Sequence, residues 1–264
     1  GGMGVGDVAV GEQMNVEIVH MPMDVNESDE ITWTSSDPKS VSVTANSDNP
    51  QNAVIEALAV TNKRVEISCK VGDYETVVFI EVYTESNSGE YTYTMNLDGT
   101  INIVSYEGDE TTVSIPSKLD KKTVVSVAGF EENDTLEKIT ITSTVTAIQY
   151  GAFYNCANLS TVTFNSGSEL EYIGEAAFAG SGITSIAMPN TVSELGSLAF
   201  KGCSRLSSVT LSNSLEGIEN GTFRYCVKLS KITIPASVTY IDDGAFAGSG
   251  LTSISVPKNV ESIG

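Results

Sequence analysis

The sequence predicts a mainly β protein in two parts. Residues 1–86 read as a β-sandwich. Residues 87–264 read as a solenoid with a parallel β-sheet on one side and short helical or 3-10 turns on the other. Three observations carry this. From residue 136 the chain repeats itself, and the leading apolar residues Leu136, Leu159, Ile183, Leu206, Leu229 and Leu251 fall 22 to 24 residues apart, a period that means stacked coils. Each repeat sets apolar residues at the same places, including the column Phe153, Phe178, Phe200, Phe223 and Phe246. Before the repeats, alternating runs at residues 8–10, 14–19, 31–34, 41–44, 53–60, 65–71 and 76–83, separated by turn residues, have the density of a sandwich.

Composition narrows the function. Over 264 residues, 14 Lys and Arg face 34 Asp and Glu, a formal charge of −20 that repels phosphate backbones and anionic lipid, so nucleic acid is not expected as a partner. The deficit is spread: 4 bases against 15 acids in residues 1–86, and 10 against 19 in residues 87–264. No apolar run approaches the roughly 20 residues that cross a bilayer. The opening GGMGVGDVAV has neither a basic nor an apolar signal region, so it reads as a trimmed start. Abundant Ser and Thr with scarce Lys suit an extracellular or surface-displayed protein, expected as a monomer. Four cysteines are too few for a disulfide framework. Cys156, Cys203 and Cys226 share one repeat position with Ser181 and Ser249, so small size is the common factor. Stacked side chains point the same way, which is poor disulfide geometry. Buried free thiols are expected, Cys69 included, since it alternates with Val65, Ile67 and Val71.

In the first part, the segments ITWTSSDPKSVSV and VEISCKVGDYETVVFIEV, residues 31–43 and 65–82, resemble the bacterial immunoglobulin-like family. That family sets a Trp-Thr-Ser-Ser-Asp-Pro segment before a strand and closes on a strand, a Gly-Asp turn and a final strand. The resemblance implies a spacer or adhesive unit on a bacterial surface, here without the disulfide of antibody domains. Residues 84–90, TESNSGE, are small and polar and read as a short linker, so the two domains are expected to touch. Residues 87–135 begin with a hairpin turning at Asp98-Gly99 and continue as a diverged repeat, with Ile115-Pro116 matching Ile234-Pro235 and Phe130 matching Phe153. An open solenoid end exposes apolar surface and strand edges, so this hairpin reads as an N-terminal cap. The regular repeats span residues 136–264, and the last breaks off at Gly264, so a cut chain or an absent later segment is expected.

Within one repeat the pattern is L-x-x-I-x-I-P-x-x-V-x-x-I-x-x-x-A-F-x-x-C-x-x. It resembles the BspA-like leucine-rich repeats of bacterial and protist surface proteins over residues 113–264. The resemblance implies binding to extracellular matrix proteins or to other cells. The spacing read alone puts Ile139 and Ile141 inward at period two. Val145 with Ile148, Leu170 with Ile173, Val192 with Leu195, Leu215 with Ile218 and Val238 with Ile241 form a second inward pair.

Two outward features are candidate partner-binding sites. The sheet face carries Thr140, Thr163, Thr210 and Thr233 among other small polar residues. These either meet a protein or glycan partner on the solenoid or are good residues for an exposed strand. No large aromatic stands on that face to stack on sugar. Lys201 with Arg224, and Arg205 with Lys228, form a basic cluster in an acidic protein. It either holds an acidic partner or sulfated glycan, or sets cations after a short helical turn, at its C-terminus.

Other motifs point away from chemistry. The acidic segment 24–30 has alternating oxygen ligands but lacks the Gly and Glu of an EF-hand loop, and reads as a solvated hairpin tip. The Gly-rich start follows no strand and is not a nucleotide loop. His20 is the single histidine, with no identifiable nucleophile partner. Asp242-Asp243 stand on a turn and read as solvated charge. No metal, cofactor or catalysis is expected. The leading expectation is a non-catalytic adhesion or protein-binding protein of the cell surface, whose partner is a host or bacterial surface protein, a matrix protein or a glycan. A spacer presenting another domain and a glycan-binding accessory part of a polysaccharide-degrading or uptake system are the alternatives.

Overall fold

The computed structural model describes residues 5–17, 30–61 and 63–264. His20, the segment 24–29 and Gly2 to Gly4 lie outside the described residues. The chain divides into two compact units, Gly1–Ser86 and Asn87–Gly264.

The first unit contains β1 (Val5–Ala9), β2 (Gln13–Glu17), β3 (Ile31–Ser35), β4 (Val41–Ala45), β5 (Asn52–Ala57), β6 (Val65–Val71) and β7 (Tyr74–Tyr83). One sheet has the order β1-β7-β6-β3, the other β2-β5-β4. The pairs are antiparallel except β1 with β7, which run parallel. Alternation works as its period demands: on β6, Val65, Ile67, Cys69 and Val71 are buried while Glu66 and Lys70 are exposed. Val8, Val65, Ile67, Ile80 and Val82 from one sheet and Val41, Ile55 and Ala57 from the other form one core. At the edge of this core the Trp33 indole N–H donates to the Pro50 carbonyl at 3.0 Å. The Asp37 carboxylate accepts from the Ser40 hydroxyl at 2.8 Å. That bond, ahead of those from the Lys39 and Ser40 amides, holds its pKa below the ordinary value.

The second unit opens with β8 (Ser86–Ser88), inside the segment read as a linker, then β9 (Tyr91–Met95) and β10 (Ile101–Tyr106). β9 and β10 pair antiparallel around Gly99, whose φ of +83° meets the demand of the tight turn. Next come β11 (Thr112–Ser114), β12 (Lys118–Leu119), β13 (Lys122–Val127), β14 (Lys138–Ile141), β15 (Ala147–Ile148), β16 (Thr161–Phe164) and β17 (Tyr172–Ile173). They are followed by β18 (Ser185–Ala187), β19 (Glu194–Leu195), β20 (Ser208–Thr210), β21 (Gly217–Ile218), β22 (Tyr240–Ile241) and β23 (Ser262–Ile263).

Each coil contributes a strand to one face and, up to the coil of β20, a strand to a second face as well. Face one is the parallel sheet β11-β14-β16-β18-β20. Face two runs β13-β15-β17-β19 in parallel and continues as β21-β22-β23. The β9–β10 hairpin extends face two, because β10 pairs parallel with β13. Ile139, Ile141 and Ile186 from face one and Val145, Ile148, Leu170, Ile173, Val192, Leu195, Leu215, Ile218, Val238 and Ile241 leading into face two are all buried.

The third side holds a stack of aromatic rings longer than the repeats alone indicate. It runs from Tyr91 and Tyr106 of the hairpin through Phe130, Phe153, Phe178, Phe200 and Phe223 to Phe246, with neighbouring centroids 4.7 to 5.6 Å apart. Each such ring buries roughly 150–250 Å² and gains about 0.5–1.5 kcal/mol more from its neighbour.

The helical or 3-10 turns expected on this side do not form among the described residues. Two features explain why. Alternate amides leave the coil: Gly151, Phe153 and Asn155 donate to Glu175, Ala177 and Ala179 of the next coil at 2.7 to 3.0 Å. The amides between them bond locally, Ala152 to Gln149 and Tyr154 to Gly151. A helix needs every N–H for its own chain. In addition, each coil from that of Phe153 to that of Phe246 brackets its phenylalanine with two left-handed residues four positions apart. The brackets are Gly151 and Asn155, Ala176 and Gly180, Leu198 and Gly202, Gly221 and Tyr225, and Gly244 and Gly248, with φ between 52° and 73°. Left-handed residues stop a right-handed helix.

Candidate functional site

On face one, register places Thr112, Lys138, Thr161, Ser185 and Ser208 in one outward row. Ser114, Thr140 and Thr163 form the next, and Ala187 pairs with Thr210. Thr163, Thr210 and Thr233 are exposed and Thr140 is half-buried. Thr233 differs from the other three in lying outside the hydrogen-bonded ladder, which reaches only to β20.

The hydroxyls of this side fall into two sets. Ser160, Thr184 and Ser207, just before the strands, donate to the backbone carbonyls of Glu137, Ser160 and Thr184 one coil back, at 3.2, 3.3 and 3.2 Å. Thr146, Thr191 and Thr239 do the same at the entry to face two. These hydroxyls are consumed by the fold. Those of Thr140, Thr163, Thr210 and Thr233 hold no side-chain hydrogen bond among the described residues, so they remain for solvent or a partner.

The basic residues lie along the turn side. The Phe200 amide donates to the Thr222 carbonyl at 2.9 Å and the Gly202 amide to that of Arg224 at 2.7 Å, which sets Lys201 opposite Arg224. Arg205 and Lys228 follow four residues later at equivalent positions of the two coils, and all four are exposed. Adjacent coils here are separated by the 5.4 Å between the Phe200 and Phe223 rings. Among the described residues the ion pair is Arg64 with Glu81, so none of the four cations meets a carboxylate. Arg224 lies 5.0 Å from the centroid of the Tyr225 ring and donates to its hydroxyl at 3.2 Å. Tyr225 and Val227 are themselves exposed, by 49% and 56%.

Three recesses were not anticipated. Tyr150 and Tyr154 wall a cavity of about 230 Å³ over Gly129, Gly151 and Ala176. Tyr172 and Tyr240 border another of about 300 Å³ with Glu194, Glu216 and Glu219 around it. A third, of about 310 Å³, is lined by acids of the first coil, among them Glu107, Asp109, Glu131 and Asp134. Tyr240 lies over the bare Cα of Gly217 and donates to the Glu219 carboxylate. That bond, then burial, then the charges of Glu219, Glu216 and Asp242 push its phenol up to about 12. The sequence signal existed, since Tyr172 and Tyr240 each precede the inward Ile of face two. Among the described residues no group of His, Cys, Asp and Glu is arranged to hold a metal ion.

The cysteines of the described residues are free and buried. Burial pushes the Cys69 thiol up to about 11 and those of Cys156 and Cys203 to about 12, and raises Cys226 as well. Thiols held in that form are poor nucleophiles.

The family described as BspA type leucine rich repeat region matches in 6 copies over residues 107–170 and 165–264. Among solved structures, a leucine rich cell surface protein from Faecalibacterium prausnitzii is 32% identical with a TM-score of 0.61, the match covering 68% of this chain and 50% of that one. The leucine-rich repeat protein TpLRR of T. pallidum is 30% identical with a TM-score of 0.63, over 68% and 86% of the two chains. The pneumococcal vaccine antigen PcpA is 26% identical with a TM-score of 0.57, over 66% and 50%. The chain thus spans half the length of the first and third. No curated protein matches the chain. Among the described residues no helix is long and apolar enough to cross a membrane.

Proposed function

The chain belongs to the BspA-type leucine-rich repeat family, and from that membership we propose that it is a non-catalytic adhesion protein of a bacterial surface, binding proteins of host or other cells. The observation that carries this reading is the likeness, at 32% identity, to a leucine rich cell surface protein. The outward residues supply the surface. Thr140, Thr163, Thr210 and Thr233 keep their hydroxyls unspent, and Lys201, Arg205, Arg224 and Lys228 keep their charges unpaired. The first unit acts in this reading as an immunoglobulin-like spacer. Its two sheets over one core and the Trp33 anchor support that assignment.

The test is a binding screen of the full chain, immobilised, against matrix proteins, bacterial surface proteins and glycans. Saturable binding to a protein is expected. A screen in which only glycans bind would transfer the reading to a glycan-binding accessory role. Binding to nothing would make the chain a spacer.

A further inference from the structure

The surface-binding reading leaves the partner's chemistry open, and the basic corner narrows it. The cations stand where the repeat does not ask for them. In the column of Lys201 and Arg224 the other coils carry Glu131, Tyr154, Ala179 and Ala247, and Asn158 stands in the coil of Phe153 where Arg205 and Lys228 stand in later ones. The coils close equally well without a base at these positions. The local cause that a cation could have, the C-terminus of a short helix, is absent, because no helix forms there. No carboxylate of the described residues neutralises them, although the protein carries a formal charge of −20.

Beside these charges stand two exposed apolar groups on the same coil, Tyr225 and Val227. Arg224 stacked on Tyr225 has its guanidinium already oriented, which lowers the entropy lost on pairing with a carboxylate. Arginine and tyrosine around an apolar contact, rimmed by further charge, is the make-up of a protein-binding hot spot. A polyanionic glycan would engage the charges and leave Val227 unused. We propose that Lys201, Arg205, Arg224, Lys228, Tyr225 and Val227 dock an acidic protein segment that carries an apolar side chain among its carboxylates. This rests on the surface-binding reading and specifies the partner.

The experiment measures binding of the full chain to a fluorescent synthetic peptide that alternates pairs of Glu with single Leu, near physiological salt. The same peptide with Ser for Leu, and heparin, serve as comparators. The Leu peptide is expected to bind about tenfold more tightly than the Ser peptide, and more tightly than heparin. Its affinity is expected to fall with added salt. It should also fall about tenfold or more in Lys201→Glu/Arg224→Glu, and several-fold in Val227→Ser, with melting temperatures unchanged. Lys201→Gln/Arg224→Gln takes the place of the reversed pair if that variant melts early. Equal binding of the two peptides, heparin binding best, no peptide binding, or full affinity in the neutralised pair would each overturn the proposal. A protein found in the screen above that binds the neutralised pair as well as the parent would remove this docking site and leave the surface-binding reading intact.

Discussion

Cys203 donates its thiol to the backbone carbonyl of Phe178, 3.0 Å away on the preceding coil. The same bond joins Cys156 to Phe130 at 2.8 Å and Cys226 to Phe200 at 3.1 Å. The thiol is therefore a strut between coils as well as a small filler. Cys203→Ala is expected to lose about 1 kcal/mol, the net value of one hydrogen bond. Cys203→Leu is expected to lose about 1–3 kcal/mol by overfilling the site. Chemical denaturation of the two variants checks the order, and a reductant should leave the parent's melting temperature where it is.

Those thiols also set an alkaline limit. Cys156 and Cys203 rise from 9.0 to about 12 in the fold because they are buried. The unfolded chain therefore loses these protons first. Their contribution to stability is whole below about pH 9 and is lost as pH climbs from there towards 12. Calorimetry across this range should show the melting temperature falling above about pH 9, and falling less steeply in Cys203→Ser. Parallel slopes would assign the loss to other groups.

Phe200 is fully buried between two rings, whereas Phe246 is partly buried with Phe223 as its ring neighbour. Truncation of Phe200 to Ala is expected to cost about 3–5 kcal/mol, and Phe246→Ala less. Equal losses in calorimetry would mean that the stack is not cooperative.

A fourth expectation runs against ordinary propensity. Ala176 holds a φ of +52°, a region costing a residue with Cβ roughly 1–2 kcal/mol. Glycine escapes that cost and gives back about 0.5–1 kcal/mol in unfolded-chain entropy. Ala176→Gly should therefore leave stability unchanged or raise it by up to about 1 kcal/mol. Ala179→Gly, which relieves no left-handed residue, should lower it.

A fifth concerns close approach. A Cβ on Gly196 would lie 2.2 Å from the Glu175 backbone nitrogen, while on Gly217 it would meet the Tyr240 ring at 2.0 Å. The first obstacle cannot move without the coil, but the ring can swing away. Gly196→Ala is expected to destabilise more than Gly217→Ala, and Gly217→Ala should free the Tyr240 phenol to titrate nearer to its ordinary value.

Much of this architecture is legible in the chain because inward positions obey a strict rule. Phe153 through Phe246 and the pairs such as Val145 with Ile148 cannot be polar without exposing a coil's interior. The spacing, followed back to Phe130 in the diverged repeat, extends even to Tyr106, 24 residues before it. The turn side departs from the helical expectation, although Gly-Ala-Phe followed by polar residues fits one helical turn. The signal against it lies partly in Ala176, Leu198 and Tyr225, side chains that do not advertise a left-handed backbone. The outward candidates were legible as residue types, but which hydroxyls were free was not. Ser160 and Thr163 look alike in sequence, and they differ because only Ser160 reaches the carbonyl of the coil before it.

The left-handed brackets have a further consequence for how such a protein can change length. The five brackets from Gly151 to Gly248 each span the same four positions, yet the phenylalanines they enclose are 25, 22, 23 and 23 residues apart. The surplus residues sit at the corner between Phe164 and Leu170, and the missing one after Ser181. The bracket works as the fixed gauge of the coil and the corners as its slack. A residue added at a corner bulges into water, whereas one added between Ala176 and Gly180 would put the hydrogen bonds to the next coil out of phase. Sequence drift and engineered insertions alike have room at the corners and none inside the bracket.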